Sequence, residues 1–524
     1  MLRISQRRAR ARQVSHSQAA TTQSESPRKG TCSTQFLHHS LTCSISRQVT
    51  IGSLSNEVLL NIFRYYLDVS PRFWPRLVQI CRKWRQIIFA PQQARALQLR
   101  LFCTHETPIL KTLDCWPALP IVVEYGGLPA LDPPTPKDQA NIIAALKHPD
   151  RVTSISLTVT NSLLRTLSAI ERPFSELEDL VLLFRHTARL TLPSAFRWGL
   201  RLRTLHLTGA ADPALPGLLF PSTGLVDLQL NNIPKDGYFT PEAFVNALSG
   251  MTQLRTLSLH FLSFTPHRKP LGLPPQLGDR VVLPALTCLK YRGTSMYLEG
   301  LVARIDAPRL GGIGIALFCR PKMDASQLGR FINRIGMHKL HSRAEIISSE
   351  RTSSISFTQP EVPTRLELQV SCKSLDRQSS YMAKICKSLS AFLLGVEHLR
   401  ISGAQPSSGH DNSDRSDRRA WPKLIRPFKG TKWVHLAGDH STSIVCALRS
   451  RQSGVLLPTL HKLCVREPEP HYAPLEEAVV SLIRSRQLSG HMIGVEYERF
   501  RINELHGTGT TFAQCQLYHA LIWS

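Results

Sequence analysis

Along the middle of the chain, apolar residues recur at the first, fourth and sixth places of a six-residue frame, with mostly polar residues between them. The frame reads Val152/Ile155/Leu157, Leu177/Leu180/Leu182, Leu202/Leu205/Leu207 and Leu225/Leu228/Leu230. It continues at Leu254/Leu257/Leu259, Leu286/Leu289/Tyr291 and Leu310/Ile313/Ile315, these seven starting 25, 25, 23, 29, 32 and 24 residues apart. Looser copies follow at Val396/Leu399/Ile401 and Leu460/Leu463/Val465. The fourth and sixth places lie two apart, so they share one face of an extended strand and the residues between them share the other. No copy can bury its own leucines, but stacked neighbours make one core behind a parallel sheet.

These intervals are those of a leucine-rich repeat. The pattern predicts an irregular repeat solenoid over residues 138–466, each unit giving a short strand and a returning helix or turn, with the parallel sheet on the concave face. Intervening helices are predicted at Lys137–Lys147 and from Pro241, the latter capped by Thr240. Asn231 and Asn232 sit where a turning backbone uses an asparagine. The period is lost between Ala316 and Gly395, where Thr364–Val370 reads as one more strand. The polar, low-complexity run at about 404–420 reads as a disordered loop. Between the leucines, the positions predicted to face a bound protein are Asp179, Thr204, His206, Asp227, Gln229, Asn231, Thr256, Ser258, His260, Lys290 and Arg292.

Ahead of the array the apolar period changes from two to about 3.6. Val58, Leu59, Ile62, Phe63 and Tyr66 form one wide helical face, with Ser55 placed to cap it and Glu57 in the first turn. Leu77, Ile80, Cys81, Trp84, Ile87 and Ile88 form a second stripe after Pro75, and a third apolar segment follows over Ala94–Phe102. Leu54, Glu57-Val58-Leu59-Leu60 and Ile62-Phe63, followed by Leu77 and Ile80-Cys81-Arg82-Lys83-Trp84-Arg85, resemble an F-box. Ser55 stands where that family usually has proline. Thr107–Tyr125 is similar to a segment that follows the F-box in large fungal F-box families, and Leu119–Tyr125 reads as a strand. The resemblance covers residues 51–103. It implies that Leu54, Glu57, Leu59, Ile62 and Phe63 face a Skp-type adaptor or support that face, that a cullin is reached through the adaptor, and that Trp84 lies in the module's own core.

Composition adds bounds. At 524 residues and 42% apolar, the chain exceeds one ordinary core. Residues 1–50 hold eight Lys/Arg and one acid, without sustained periodicity, and read as a disordered basic tail. Its makeup is also that of a mitochondrial transit peptide, but Met1–Ala20 offers no apolar face, so cytoplasm, nucleus or both is the expected location. Residues 104–137 form a Pro/Gly-containing connector, and 467–524 a capping unit with a helix from Pro474 and a strand over Gly494–Phe500. Gly507-Thr-Gly-Thr lacks the lysine and glycine spacing of a phosphate loop. The 12 cysteines form no CxxC pair, and no membrane span, metal site, cofactor site or catalytic fingerprint is expected. The formal charge of +26 admits a nucleic-acid partner, although no recognition motif accompanies it. The function expected is that of a non-catalytic ubiquitin-ligase adaptor subunit. A leucine-rich scaffold with a degenerate F-box, or a basic nucleic-acid-associated protein, is the alternative.

Overall fold

The computed structural model describes residues 51–69, 77–89, 98–116, 118–126, 133–185, 193, 196, 201–262, 280–318, 324–336, 342–349, 351–359, 362–372, 375–403, 421–438, 440–449, 455–466 and 473–498. The basic tail, the 404–420 run and Gly507–Thr510 lie outside them. By compactness the chain divides into Met1–Val58 and Leu59–Ser524.

Described residues of the first unit are a short 3-10 turn, Ile51–Ser53, and the start of helix α1 (Asn56–Val69). Ser55 caps α1 as expected, its hydroxyl accepting from the Val58 amide at 3.4 Å. In the second unit, α1 places Leu59, Leu60 and Phe63 inside, and Phe63 packs on Trp84 with ring centroids 4.8 Å apart. The expected single second helix is two: α2 (Leu77–Ile80) and α3 (Arg82–Ile88), separated by an extended Cys81 (φ −156°, ψ 167°). That break shifts the phase of the stripe. Leu77, Val78, Trp84, Ile87 and Ile88 are buried, whereas Ile80 and Cys81 are exposed. Arg85 bridges the break, its Nε donating to the Val78 carbonyl at 3.1 Å.

Among the described residues, sixteen strands then form one sheet, mixed with helices and mostly parallel. In chain order they begin with β1 (Leu99–Phe102), β2 (Ile121–Tyr125), β3 (Val152–Val159), β4 (Asp179–Phe184), β5 (Thr204–Thr208), β6 (Asp227–Ile233) and β7 (Thr256–Phe261). A small separate pair, β8 (Val281–Val282) and β10 (Ile305–Asp306), flanks β9 (Cys288–Thr294) in sequence, and β11 (Gly312–Phe318) follows. The remainder are β12 (Arg343–Ser348), β13 (Thr352–Gln359), β14 (Val362–Ser371), β15 (His398–Gly403), β16 (Trp433–Gly438), β17 (Lys462–Arg466) and β18 (Gly494–Glu498). The expected strands at Leu119–Tyr125, Thr364–Val370 and Gly494–Phe500 thus fall on β2, β14 and β18. The end of the third apolar segment is strand β1.

Register explains the leucines. Ile155, Leu180, Leu205, Leu228, Leu257, Leu289 and Ile313 are Cα partners in one continuous row. Leu157, Leu182, Leu207, Leu230, Leu259, Tyr291 and Ile315 form a second. All of them are buried, each fully buried aliphatic side chain contributing roughly 1.5–3 kcal/mol. The first place of each frame is buried too, and in several copies its amide closes a turn onto a carbonyl three residues earlier. Leu225 bonds Ser222, Leu254 bonds Met251, Leu286 bonds Leu283 and Leu310 bonds Ala307. Strand entry repeats as well: two successive amides share one carbonyl of the preceding unit, as Thr287 and Cys288 do on Arg255 and Lys432 and Trp433 do on Glu397.

Where the period is lost the topology changes. The chain leaves β11, crosses by the helix Ser326–Arg334, and lays β12 three places away. It then meanders back antiparallel through β13 to β14, which pairs in parallel with β11. The helix Leu375–Ser388 leads on to β15, parallel to β12, and the parallel order resumes. The expected helices are present: Pro136–Leu146 carries a full capping box between Thr135 and Asp138, and Pro241–Leu248 is capped by Thr240, whose Oγ1 accepts from the Ala243 amide at 3.2 Å. Ala473–Leu488 is the helix of the terminal stretch.

Candidate functional site

The even alternation that buries the leucine rows leaves the opposite face of the sheet to solvent, and all eleven expected target-facing residues stand on it. Asp179, Thr204, Asp227 and Thr256 form one cross-strand row. His206, Gln229, Ser258 and Lys290 form the next, and His260 pairs with Arg292 in the third. Asn231 lies opposite Thr208 in that third row. The neighbouring Asn232 has a left-handed φ of 53°, where β6 bulges away from β7.

The rows are wired together. His206 Nε2 donates to Asp227 Oδ2 at 2.9 Å, and the Gln229 amide donates to the same carboxylate at 3.2 Å. The Ser258 hydroxyl donates to Asn231 Oδ1 at 3.4 Å and shares a hydrogen bond with His260 Nε2 at 3.3 Å. Ser258 is buried under this network, which corrects its expected place at the exposed surface: the short hydroxyl sits below its longer neighbours. Burial, reinforced by the Arg292 guanidinium and the Lys290 ammonium, pushes the His260 imidazole down to about 4, so it is neutral near pH 7. Arg292 in turn lies over the Phe318 ring, 5.7 Å from its centroid.

A second part of the same face was not read from the sequence. Across β12, β15, β16 and β17, Arg343, His398, Trp433 and Lys462 stand in register. Beside them runs Glu345, Arg400, His435, Cys464 and Glu496. Together they line an open groove of about 370 Å³. His398 and Arg400 were legible from the Val396/Leu399/Ile401 copy. Trp433 and His435 were hidden because Thr431, not an aliphatic residue, fills the first place of its frame. That threonine is fully buried and its Oγ1 donates to the Val396 carbonyl at 3.0 Å.

The expected adaptor residues separate by environment. Leu54 is half-buried and Glu57 exposed in the first unit. Leu59 and Phe63 are core residues of the second unit, so their place is support and not contact. Ile62 is exposed, at 39%, and begins a stripe the sequence reading did not single out: Tyr65 is 73% and Val69 64% exposed on the same α1 face. Trp84 is buried against Phe63.

Among the described residues no group of three or more His, Cys, Asp or Glu side chains is arranged to hold a metal ion, and no helix is long and apolar enough to cross a membrane. The sequence matches no protein-family model and no curated protein.

Proposed function

We propose that this protein is a substrate-recognition adaptor of a Skp–cullin–F-box ubiquitin ligase. In this reading α1–α3 are an F-box that binds the Skp-type adaptor, and the sheet is a leucine-rich-repeat solenoid whose concave polar face holds a protein target. The observation that carries the docking half is the stripe Ile62, Tyr65 and Val69, spaced i, i+3 and i+7 on a helix whose other side already fills a core. Water-exposed apolar side chains at that spacing are anchors for a groove on a partner. The recognition half is supported by the unbroken rows of buried leucines beneath a face of mixed charge and hydrogen-bonding groups.

Ubiquitin transfer belongs to other subunits in this scheme. The adaptor raises the local concentration of its target beside the charged conjugating enzyme, which is a bivalent effect and needs no catalytic residue here. The test is affinity purification of the intact chain under gentle conditions. The Skp adaptor and cullin should co-purify in near-equal amounts. Retention of nucleic acid with a steep salt dependence, and of neither ligase subunit, would replace the proposal with a nucleic-acid function.

A further inference from the structure

The groove over β12 and β15–β17 has a chemistry distinct from the rest of the sheet face. Two of its charges are internally matched: Arg400 pairs with Glu345 at 3.5 Å, and Lys462 with Glu496 at 2.6 Å. Arg343 is exposed and has no acidic partner among the described residues. The next residue but one along its row, Trp433, is 49% exposed, touched by the His398 ring at 5.0 Å and by the Lys462 ammonium 5.2 Å from its centroid. A fixed indole on a rigid strand, half in water, is the kind of side chain that becomes an energetic anchor when covered. The field at the Arg343 end favours an anion, and a low-entropy apolar contact is available on Trp433.

Geometry sets the size of what fits. Arg343 to Lys462 spans three inter-strand steps, about 14 Å at roughly 4.8 Å per step, which an extended chain covers with four to five residues at about 3.3 Å each. Of the groove's Arg and Lys residues only Arg343 is left without an acidic partner among the described residues, which suits a single carboxylate and not the successive phosphates of a nucleic-acid track. We propose that this groove binds a short extended acidic protein segment, one carboxylate on Arg343 and one apolar or aromatic side chain against Trp433. The inference deepens the target-binding reading of the sheet face and rests on it, but is independent of the α1 contact.

The experiment is a titration of the full chain, followed by anisotropy, with a labelled pentapeptide carrying two carboxylates and one phenylalanine. Its amide counterpart and an oligodeoxythymidine of equal charge are titrated beside it. The acidic peptide should bind at least tenfold more tightly than the amide peptide. Arg343→Ala and Trp433→Ala should each weaken it at least fivefold, and Trp433→Phe should restore most of the Trp433 loss. Leu110→Ala, at an exposed position of the helix Ile109–Cys115 away from the sheet face, should leave binding unchanged. Undetectable binding, equal binding of the amide peptide, indifference to both alanine variants in chains with unaltered melting curves, or tighter binding of the oligonucleotide lost in the same variants would each overturn the proposal. Co-purification of the Skp adaptor with the native chain separates the two readings. If it occurs while the native chain fails to bind the peptide, only the groove assignment falls.

Discussion

His260 shows how one residue on the sheet face couples environment to stability. Its imidazole is held neutral by burial beside Arg292 and Lys290 and hydrogen-bonds Ser258. The folded value of about 4 lies below the ordinary 6.5, so between those pH values the unfolded chain binds more protons than the folded one. Stability from this group is therefore complete above about pH 6.5 and is lost progressively as pH falls toward 4, by roughly 3 kcal/mol at most. Thermal melts at pH 7 and pH 4.5 should show a larger loss for the native chain than for His260→Gln. Equal losses would show that the histidine charges freely in the fold. None of this was legible in the sequence, which placed His260 on the polar face but could not tell that Ser258 beside it would be buried. Cys81 is a comparable case. Its apolar character fits a continuous helical stripe, yet its extended backbone splits α2 from α3 and turns Ile80 outward.

At the scale of elements, α1 separates two kinds of leucine-like position that a hydrophobic pattern treats alike. Leu59 is fully buried and Ile62 is exposed. Leu59→Asp puts a charge in a core and should cost more than about 4 kcal/mol, unfolding the module. Ile62→Asp should stay within about 1 kcal/mol of the native chain. Chemical denaturation of the two variants, followed by circular dichroism, checks the difference. The strand ends make a second demand. Gly209, after β5, has φ of 78°, donates to the Asn231 carbonyl at 2.8 Å, and would place an added Cβ 2.6 Å from the Phe184 carbonyl oxygen. Gly209→Ala should lower stability by about 1–3 kcal/mol, seen as a lower melting temperature, whereas Gly217→Ala, with open space around it, should not. The alternation of leucines made the strands readable because it is a local, two-residue signal. The buried residue three places ahead of each frame went unread because its type varies, as Phe174, Ser222, Met251, Ala307 and Phe428 show.

For the molecule as a whole, the sequence carried the order of the parallel strands up to β11, since each repeat adds beside the one before. It did not carry the return. The β12–β14 meander keeps the two buried rows continuous, with Leu366, Phe357, Ala344 and Leu399 in one and Leu368, Ile355, Ile346 and Ile401 in the other, while two of its pairings run antiparallel. Side-chain alternation is the same in both directions, so periodicity alone cannot distinguish them. The consequence for function is that the sheet face opposite the leucine rows differs in chemistry along its length, with Gly312, Gly314 and Ala316 of β11 lying between two polar parts. A hydrogen-bonded network through His206, Asp227 and Gln229 occupies one part, and the other is a groove with Trp433 and with Arg343, which has no acidic partner among the described residues.

The central claim, that α1 docks this chain onto a ligase, is tested most directly by titrating purified full-length protein with a purified Skp-type adaptor and comparing it with the Ile62→Asp/Tyr65→Asp double variant. The account predicts saturable one-to-one binding of the native chain and a loss of at least a hundredfold in the variant, with the melting curve and circular dichroism spectrum unchanged. Equal affinity of the folded variant, or no binding by the native chain, would contradict it.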